Sequence, residues 1–219
     1  MNAPNPPARC RLVLIAPAGF AAAEFETAIR AALSGGDVAS VILPQYGVDE
    51  AAFQAFATPA VAAAQEHGAA AIIAGDSRVA GRLQADGLHV EGSKADVADA
   101  IDRLQGRMIV GADAGKTRDD ALDIGEERPD YVFFGRFGYD RTPEPHPRNL
   151  SLASWWAEMI ELPCIVLGGS EIASVEAVAA TGAEFVALSA AVFAPGVDPR
   201  EAVEEANAIL DRTAPRFEE

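Results

Sequence analysis

The feature of this sequence that most constrains its fold is a repeated alternation of short apolar runs and amphipathic helical patterns. Eight such units follow one another between residues 10 and 213, and no unit contains a hairpin turn such as Asn-Gly. Short, continuously apolar strands that alternate with helices are typical of parallel sheets covered by helices. Eight units predict a closed (β/α)8 TIM barrel with an all-parallel eight-stranded sheet. The rival, an open doubly wound sheet, is disfavoured because residues 16–20 lack a GxGxxG motif.

The last two units carry small residues at the ends of two neighbouring strands. The apolar run at 164–167 ends at a glycine pair, and the run at 185–188 ends at Ser-Ala-Ala. Ser170 is predicted to cap the helix between them. Glycine admits close approach of a ligand to the backbone, and a helix N-terminus adds partial positive charge. The alternative is two ordinary strand–helix turns. In a barrel these turns predict a phosphate site formed by Gly168, Gly169, Ser170, Ser189 and Ala190.

The charge balance of the chain argues against some classes of partner. The 219 residues include 33 acidic and 17 basic side chains, a net charge of −16, so nucleic acids and anionic membranes are not expected as partners. The two cysteines are far apart and lack metal-ligand spacing, so we expect reduced thiols and a cytoplasmic protein. Residues 1–9 are predicted to be a flexible N-terminal tail, 10–213 a single barrel domain and 214–219 a C-terminal tail.

Polar side chains near the predicted strand ends are candidates for chemistry, because barrel enzymes place their sites there. Asp76 follows the third strand and is either a helix N-cap or a ligand. Asp113 follows the fifth strand and is either a turn residue or catalytic. His89, inside the fourth strand, is either a packed histidine or an acid–base group. Arg136 follows the sixth strand and is either a surface residue or an anion contact.

Four short segments, taken in order, resemble the thiamine phosphate synthase and thiazole tautomerase superfamily. They are Ala-Asp-Gly-Leu-His at 85–89, Asp-Tyr-Val-Phe-Phe-Gly at 130–135, Leu-Gly-Gly at 167–169 and Ala-Leu-Ser-Ala at 187–190. The resemblance covers almost the whole chain. It implies a transferase of thiamine biosynthesis that joins a thiazole phosphate to a pyrimidine methyl pyrophosphate, with Mg²⁺ and release of pyrophosphate. It also implies that the turns after strands seven and eight hold the phosphate ester.

Several synthase side chains implied by the resemblance differ here. Residues 41–46, Val-Ile-Leu-Pro-Gln-Tyr, stand where the family has Gln-x-Arg-x-Lys, so both of those cations are missing. Asp76 matches the Asn-Asp pair after strand three only loosely, and Asp96 is the acid nearest the metal position after strand four. These two are the predicted Mg²⁺ ligands. Asp113 replaces a serine, and Arg136, Arg141 or Arg148 can substitute for a missing lysine after strand six.

Two functions from different classes therefore stay open. The first is a superfamily enzyme, either a synthase or a single-substrate thiazole isomerase, that acts on a phosphorylated thiazole or thiamine phosphate through Asp113, Arg136 and His89. The second is a non-catalytic protein that binds a phosphate ester. The missing cations favour the second function, and the acids at the strand ends favour the first. A homo-oligomer is compatible with both. The loop at 136–149 is expected to be mobile until an anion binds.

Overall fold

Eight parallel strands close into a single barrel in the computed structural model, which describes residues 7–217. Every neighbouring pair is parallel, including the first strand with the last. The predicted (β/α)8 TIM barrel is therefore confirmed. The strands are β1 (Arg11–Ile15), β2 (Val38–Pro44), β3 (Ala70–Ala74), β4 (Gly87–Val90), β5 (Ile109–Asp113), β6 (Tyr131–Phe134), β7 (Cys164–Leu167) and β8 (Phe185–Leu188).

Helices follow the strands and cover the outside of the barrel. None of the helices within residues 7–217 has the length and apolar character needed to cross a membrane. The helices are α1 (Ala22–Leu33), α2 (Glu50–Glu66), α3 (Ser77–Leu83), α4 (Lys94–Leu104), α5 (Arg118–Gly125), α6 (Pro147–Met159), α7 (Ser174–Ala179), α8 (Ala190–Phe193) and α9 (Pro199–Thr213).

The strands divide their side chains between two buried layers because successive residues point to opposite faces. One face packs against the helices and forms the larger core. The other face fills the interior of the barrel, with residues that include Val13, Ile42, Ile72, Phe133 and Ile165. The interior is thus packed with side chains, and barrel enzymes bind their ligands at the mouth, where the carboxyl ends of the strands lie.

Two predicted element boundaries were wrong at positions that matter for the site. β5 runs from Ile109 to Asp113, so Asp113 is the last residue of the strand and does not follow it as a turn residue. α7 begins at Ser174 with Ala173 as its N-cap, so Ser170 does not cap it. The Ser174 hydroxyl instead accepts the backbone N–H of Gly169, which holds the intervening residues in a turn.

The two ends of the described chain pair with each other below the barrel. Arg9, assigned above to the N-terminal tail, is buried and donates hydrogen bonds to Asp211 and Asn207 in α9. A single antiparallel bridge joins Arg9 to Arg216. Residues 1–6 and 218–219 of the predicted tails lie outside the described residues.

Candidate functional site

A cleft of about 590 Å³ opens at the mouth of the barrel, above the ends of β4 to β7. Its lining includes Asp113, Arg136 and Gly168, three of the residues predicted for the site. His89 lies directly beneath it, because its imidazole contacts the Asp113 carboxylate. The structure thus brings these four residues together at the carboxyl end of the barrel.

Because Gly111 has no side chain, an aromatic side chain from the next strand can reach His89 across the barrel interior. The strand register places His89 beside Gly111 and Gly111 beside Tyr131. A Cβ atom at Gly111 would lie 1.9 Å from Cζ of the Tyr131 ring, so the ring occupies the space that any larger residue would need. The Tyr131 hydroxyl thereby comes within 3.1 Å of His89 Nδ1. The sequence analysis missed Tyr131.

His89 connects this buried tyrosine to the mouth. Its Nε2 lies 3.2 Å from Oδ1 of Asp113, and the residue is only 1% exposed. Burial raises the pKa of the Tyr131 hydroxyl, which therefore stays protonated and can donate to Nδ1. A carboxylate can only accept, so a neutral His89 would carry its proton on Nε2 and donate to Asp113. This arrangement fixes the Asp113 carboxylate at the rim of the cleft.

Glu91 is a second acid at the rim that sequence reasoning overlooked. It directly follows β4, and its pKa is raised by burial and by the neighbouring negative charge of Asp113. The positive charge of Arg136 opposes this shift. The guanidinium of Arg136 lies 4.3 Å from the centre of the Tyr139 ring, a cation–π contact. The position of Glu91, one residue beyond a strand, is the signal that could have identified it.

The turns after β7 and β8 lie at the same mouth, but the backbone N–H groups of the glycine pair are already used within the barrel, that of Gly169 by the Ser174 hydroxyl. Gly168 and Gly169 are buried, and the N–H of Gly168 donates to the Ala187 carbonyl at 2.8 Å. Ser189 is buried and directly precedes α8. The partial positive charge expected from a helix N-terminus at these turns is missing, because α7 starts four residues beyond Ser170 and α8 is a single turn.

A loop segment, residues 137–145, covers these turns, and we call it the mouth strap. Its Asp140 carboxylate accepts the N–H of Ala190 at 2.5 Å, and its Thr142 carbonyl accepts the N–H of Ser170 at 2.7 Å. Phe137, which sequence analysis did not count as an apolar anchor, stacks on Phe133 with ring centres 5.1 Å apart. The strap is therefore attached to the barrel at several points, while its predicted mobility stays a prediction.

The two predicted metal ligands serve as helix caps. Asp76 accepts the backbone N–H of Arg78 and pairs with its guanidinium, which lowers the pKa of Asp76 to about 2. Asp96 forms a capping box with Ser93 at the start of α4. Within residues 7–217 no three His, Cys, Asp or Glu side chains cluster as a metal site would require. This donor set does not fit Mg²⁺ as it stands, because Asp76 is paired with a cation through both carboxylate oxygens and Asp96 is held in its capping box.

Comparisons with known proteins agree with this architecture. The family model for thiamine monophosphate synthase matches residues 12–192. The chain is 33% identical to the thiamine-phosphate synthase of Hyphomonas neptunium, over 96% of this chain and 98% of the relative. It is also 33% identical to that of Rhodospirillum centenum, over 92% and 98%.

A solved structure supports the fold. The thiamine phosphate pyrophosphorylase of Pyrococcus furiosus superposes with a TM-score of 0.77 at 20% identity, covering 94% of this chain and 98% of that one. The family match spans most of the chain and includes β1 to β8 in their order. The chain therefore belongs to the thiamine monophosphate synthase family.

Proposed function

We propose that this family member binds a phosphorylated thiazole or thiamine phosphate at the barrel mouth, with the phosphate held by the turns after β7 and β8. The observation that carries the proposal is the hydrogen bond from the Ala190 N–H to a buried carboxylate. A backbone donor that already stabilises an anionic oxygen is suited to a phosphate oxygen. The Ser170 N–H, from the neighbouring turn, also donates into this part of the mouth.

The remaining side chains of the cleft support binding and proton transfer better than coupling of two substrates. Coupling must stabilise the charge of a departing pyrophosphate, and charge stabilisation is usually the largest catalytic contribution. Residues 41–46 contain no cation, so this charge would depend on the three cations that line the cleft, Lys116, Arg136 and Arg148. We therefore propose that synthase activity is weak or absent.

Calorimetry tests the proposed phosphate site directly. A thiazole phosphate is titrated into the protein, and the corresponding thiazole alcohol serves as the matched ligand without phosphate. We expect the loss of phosphate to weaken binding by at least tenfold, since a charge-assisted hydrogen bond contributes about 1.5–3 kcal/mol. Equal affinities for the phosphate and the alcohol would refute the site.

A turnover assay separates a binding protein from a synthase. The two synthase substrates are supplied with Mg²⁺, and thiamine phosphate and pyrophosphate are quantified. We expect turnover far below the 1 s⁻¹ or more that is typical of enzymes. A rate on the order of 1 s⁻¹ would show that Lys116, Arg136 or Arg148 has replaced the missing cations.

A single-substrate isomerase is the second candidate function, favoured by the contact between His89 and Asp113. Isomerisation of one ring needs a positioned acid or base and no pyrophosphate site. The carboxylate of Asp113 or of Glu91, both at the rim, can serve as the base, and the contact with His89 positions that of Asp113. Proton exchange of a bound thiazole phosphate in D₂O, followed by NMR, should fall in Asp113→Asn. Exchange at the uncatalysed rate in the wild type would exclude this function.

A further inference from the structure

We propose that the mouth strap is a built-in competitor for the phosphate site, with the Asp140 carboxylate standing where a ligand phosphate binds. The inference rests on the proposed phosphate site and adds its regulation. A ligand would displace the strap, and the strap would close again when the ligand leaves. This is the reverse of the expectation from the sequence, in which the loop becomes ordered when an anion binds.

The burial of Asp140 is the first observation. The residue is 5% exposed, and its Oδ2 accepts the Ala190 N–H, which is 50 positions away in the sequence. An ionised carboxylate is costly to bury unless hydrogen bonds or charges compensate for the lost water. Asp140 therefore occupies an anion-binding position made by the turn after β8, and a ligand phosphate would need the same N–H.

The fit of the strap against the neighbouring turn is the second observation. The Thr142 carbonyl takes the N–H of Ser170, and the Pro143 carbonyl lies 1.9 Å from where a Cβ of Gly169 would stand. The absence of a side chain at Gly169 thus lets the strap lie directly on the turn after β7. The strap covers both turns together, so a phosphate can reach their donors only after the strap has moved.

The ends of the strap are fixed more firmly than its centre. Phe137 is buried at one end, and His146, just beyond the other end, caps α6 through the backbone N–H of Arg148. Between them Tyr139 and Arg141 are exposed, so lifting this part removes little apolar surface from the core. Segments with few buried apolar contacts open at low free energy. Opening can therefore be local, with the barrel unchanged.

Asp140 could either compete with the ligand or merely support the site, and these two roles predict opposite changes in phosphate affinity when its carboxylate is removed. The apparent affinity for a ligand equals the intrinsic affinity multiplied by the open fraction of the strap. Removing the Asp140 carboxylate should raise that fraction. Phosphate should then bind Asp140→Ala more tightly, whereas a residue that merely supports the site would weaken binding when lost.

Calorimetry with inorganic phosphate and with a thiazole phosphate tests this. We expect Asp140→Ala to bind both about tenfold or more tightly than the wild type, because one charge-assisted hydrogen bond to the donor is freed. Asp140→Asn keeps the size of the side chain and should show a smaller gain in phosphate affinity. It provides the test if the alanine variant does not fold. Glu171→Gln is the matched control, since it removes an exposed charge next to Ser170. It should change affinity far less.

Trypsin cleavage at Arg141 reports on the strap without relying on ligand affinity. Cleavage should be faster in Asp140→Ala than in the wild type, and phosphate should accelerate it in the wild type. If the variant is cleaved faster but neither protein binds phosphate, the turns after β7 and β8 are not a phosphate site. That result would overturn both this inference and the proposed function. Phosphate binding that is equal or weaker in Asp140→Ala would overturn the competition and leave the phosphate site standing.

Discussion

Replacing Gly111 with alanine should disrupt the hydrogen-bonded row of Tyr131, His89 and Asp113 beneath the mouth. The added Cβ would lie 1.9–2.4 Å from three carbon atoms of the Tyr131 ring, well inside van der Waals contact. The ring is buried in the barrel interior and cannot turn aside into solvent. We expect it to shift away from β5 and to break the hydrogen bond between its hydroxyl and His89.

The expected loss of stability combines two effects. Overpacking a core by one methyl group costs about 1–3 kcal/mol. Leaving His89 Nδ1 buried without its partner adds about 1–3 kcal/mol. The two effects together predict a loss of about 2–6 kcal/mol, and at a central value of about 4 kcal/mol the Tm of a domain of this size falls by roughly 8–16 °C.

Thermal and urea unfolding measure this effect, and a double-mutant cycle tests its cause. Tyr131→Leu removes the ring, so adding Gly111→Ala to it should cost almost nothing. Gly81→Ala is the control, because nothing lies within 4 Å of its Cβ position and alanine favours the helix α3. If the two core substitutions were additive, the contact between the Gly111 position and the Tyr131 ring would not be the cause.

Three further predictions concern titratable groups. Burial raises the pKa of Cys10 to about 12 and also raises that of Cys164, so both thiols should react with a thiol reagent only on unfolding; rapid reaction of the native protein would contradict this. The raised pKa of Glu91 means that its ionised form destabilises the fold, so Glu91→Gln should stabilise the protein at pH 7 by less than about 1 kcal/mol, with no gain below pH 4 in urea titrations. The pKa of Asp76 is lowered, so its ionised form stabilises the fold. Asp76→Ala should therefore lower the free energy of unfolding by about 1 kcal/mol at pH 7, and the difference from the wild type should shrink as pH falls from about 4 to 2.

The barrel could be predicted from sequence because its signal is local and repeated. Each strand is a short apolar run ended by glycine, proline or a polar residue, and each helix has its own periodicity. Pro59 shows the limit of such local rules. A proline inside a helix is expected to kink the helix or to split it into two pieces. There is no split, because α2 runs as one helix from Glu50 to Glu66 with Pro59 inside it. Packing of the apolar face of α2 against the core stabilises the helix beyond its intrinsic propensity.

The site was only partly predictable, because its key contacts join distant segments. His89 and Asp113 could be placed together, since they lie at the same end of adjacent strands. The approach of Tyr131 to His89 depends on the exact register across Gly111, which apolar patterns do not specify. The contact between Asp140 and Ala190 depends on how a long loop folds across the mouth, and no residue pattern in that loop encodes its partner.

The distribution of charge in the cleft predicts which of the two proposed ligands binds more tightly. Two acids, Glu91 and Asp113, line the cleft outside the mouth strap, and they are close enough for the charge of Asp113 to raise the pKa of Glu91. The thiazolium ring of thiamine phosphate carries a permanent positive charge, whereas the ring of a thiazole phosphate is neutral. With the phosphate at the turns after β7 and β8, the ring would lie in the part of the cleft that these two acids line.

Thiamine phosphate should therefore bind more tightly than thiazole phosphate. Partly exposed ion pairs contribute up to about 1 kcal/mol each, so two acids predict a preference of roughly tenfold, reduced by the nearby Arg136. Calorimetry at low and high salt measures the preference, which should fall as salt screens the charges. Glu91→Gln and Asp113→Asn should each reduce it and leave thiazole phosphate binding nearly unchanged. A preference for the neutral ring, or one insensitive to both substitutions, would mean that the ring lies away from Glu91 and Asp113.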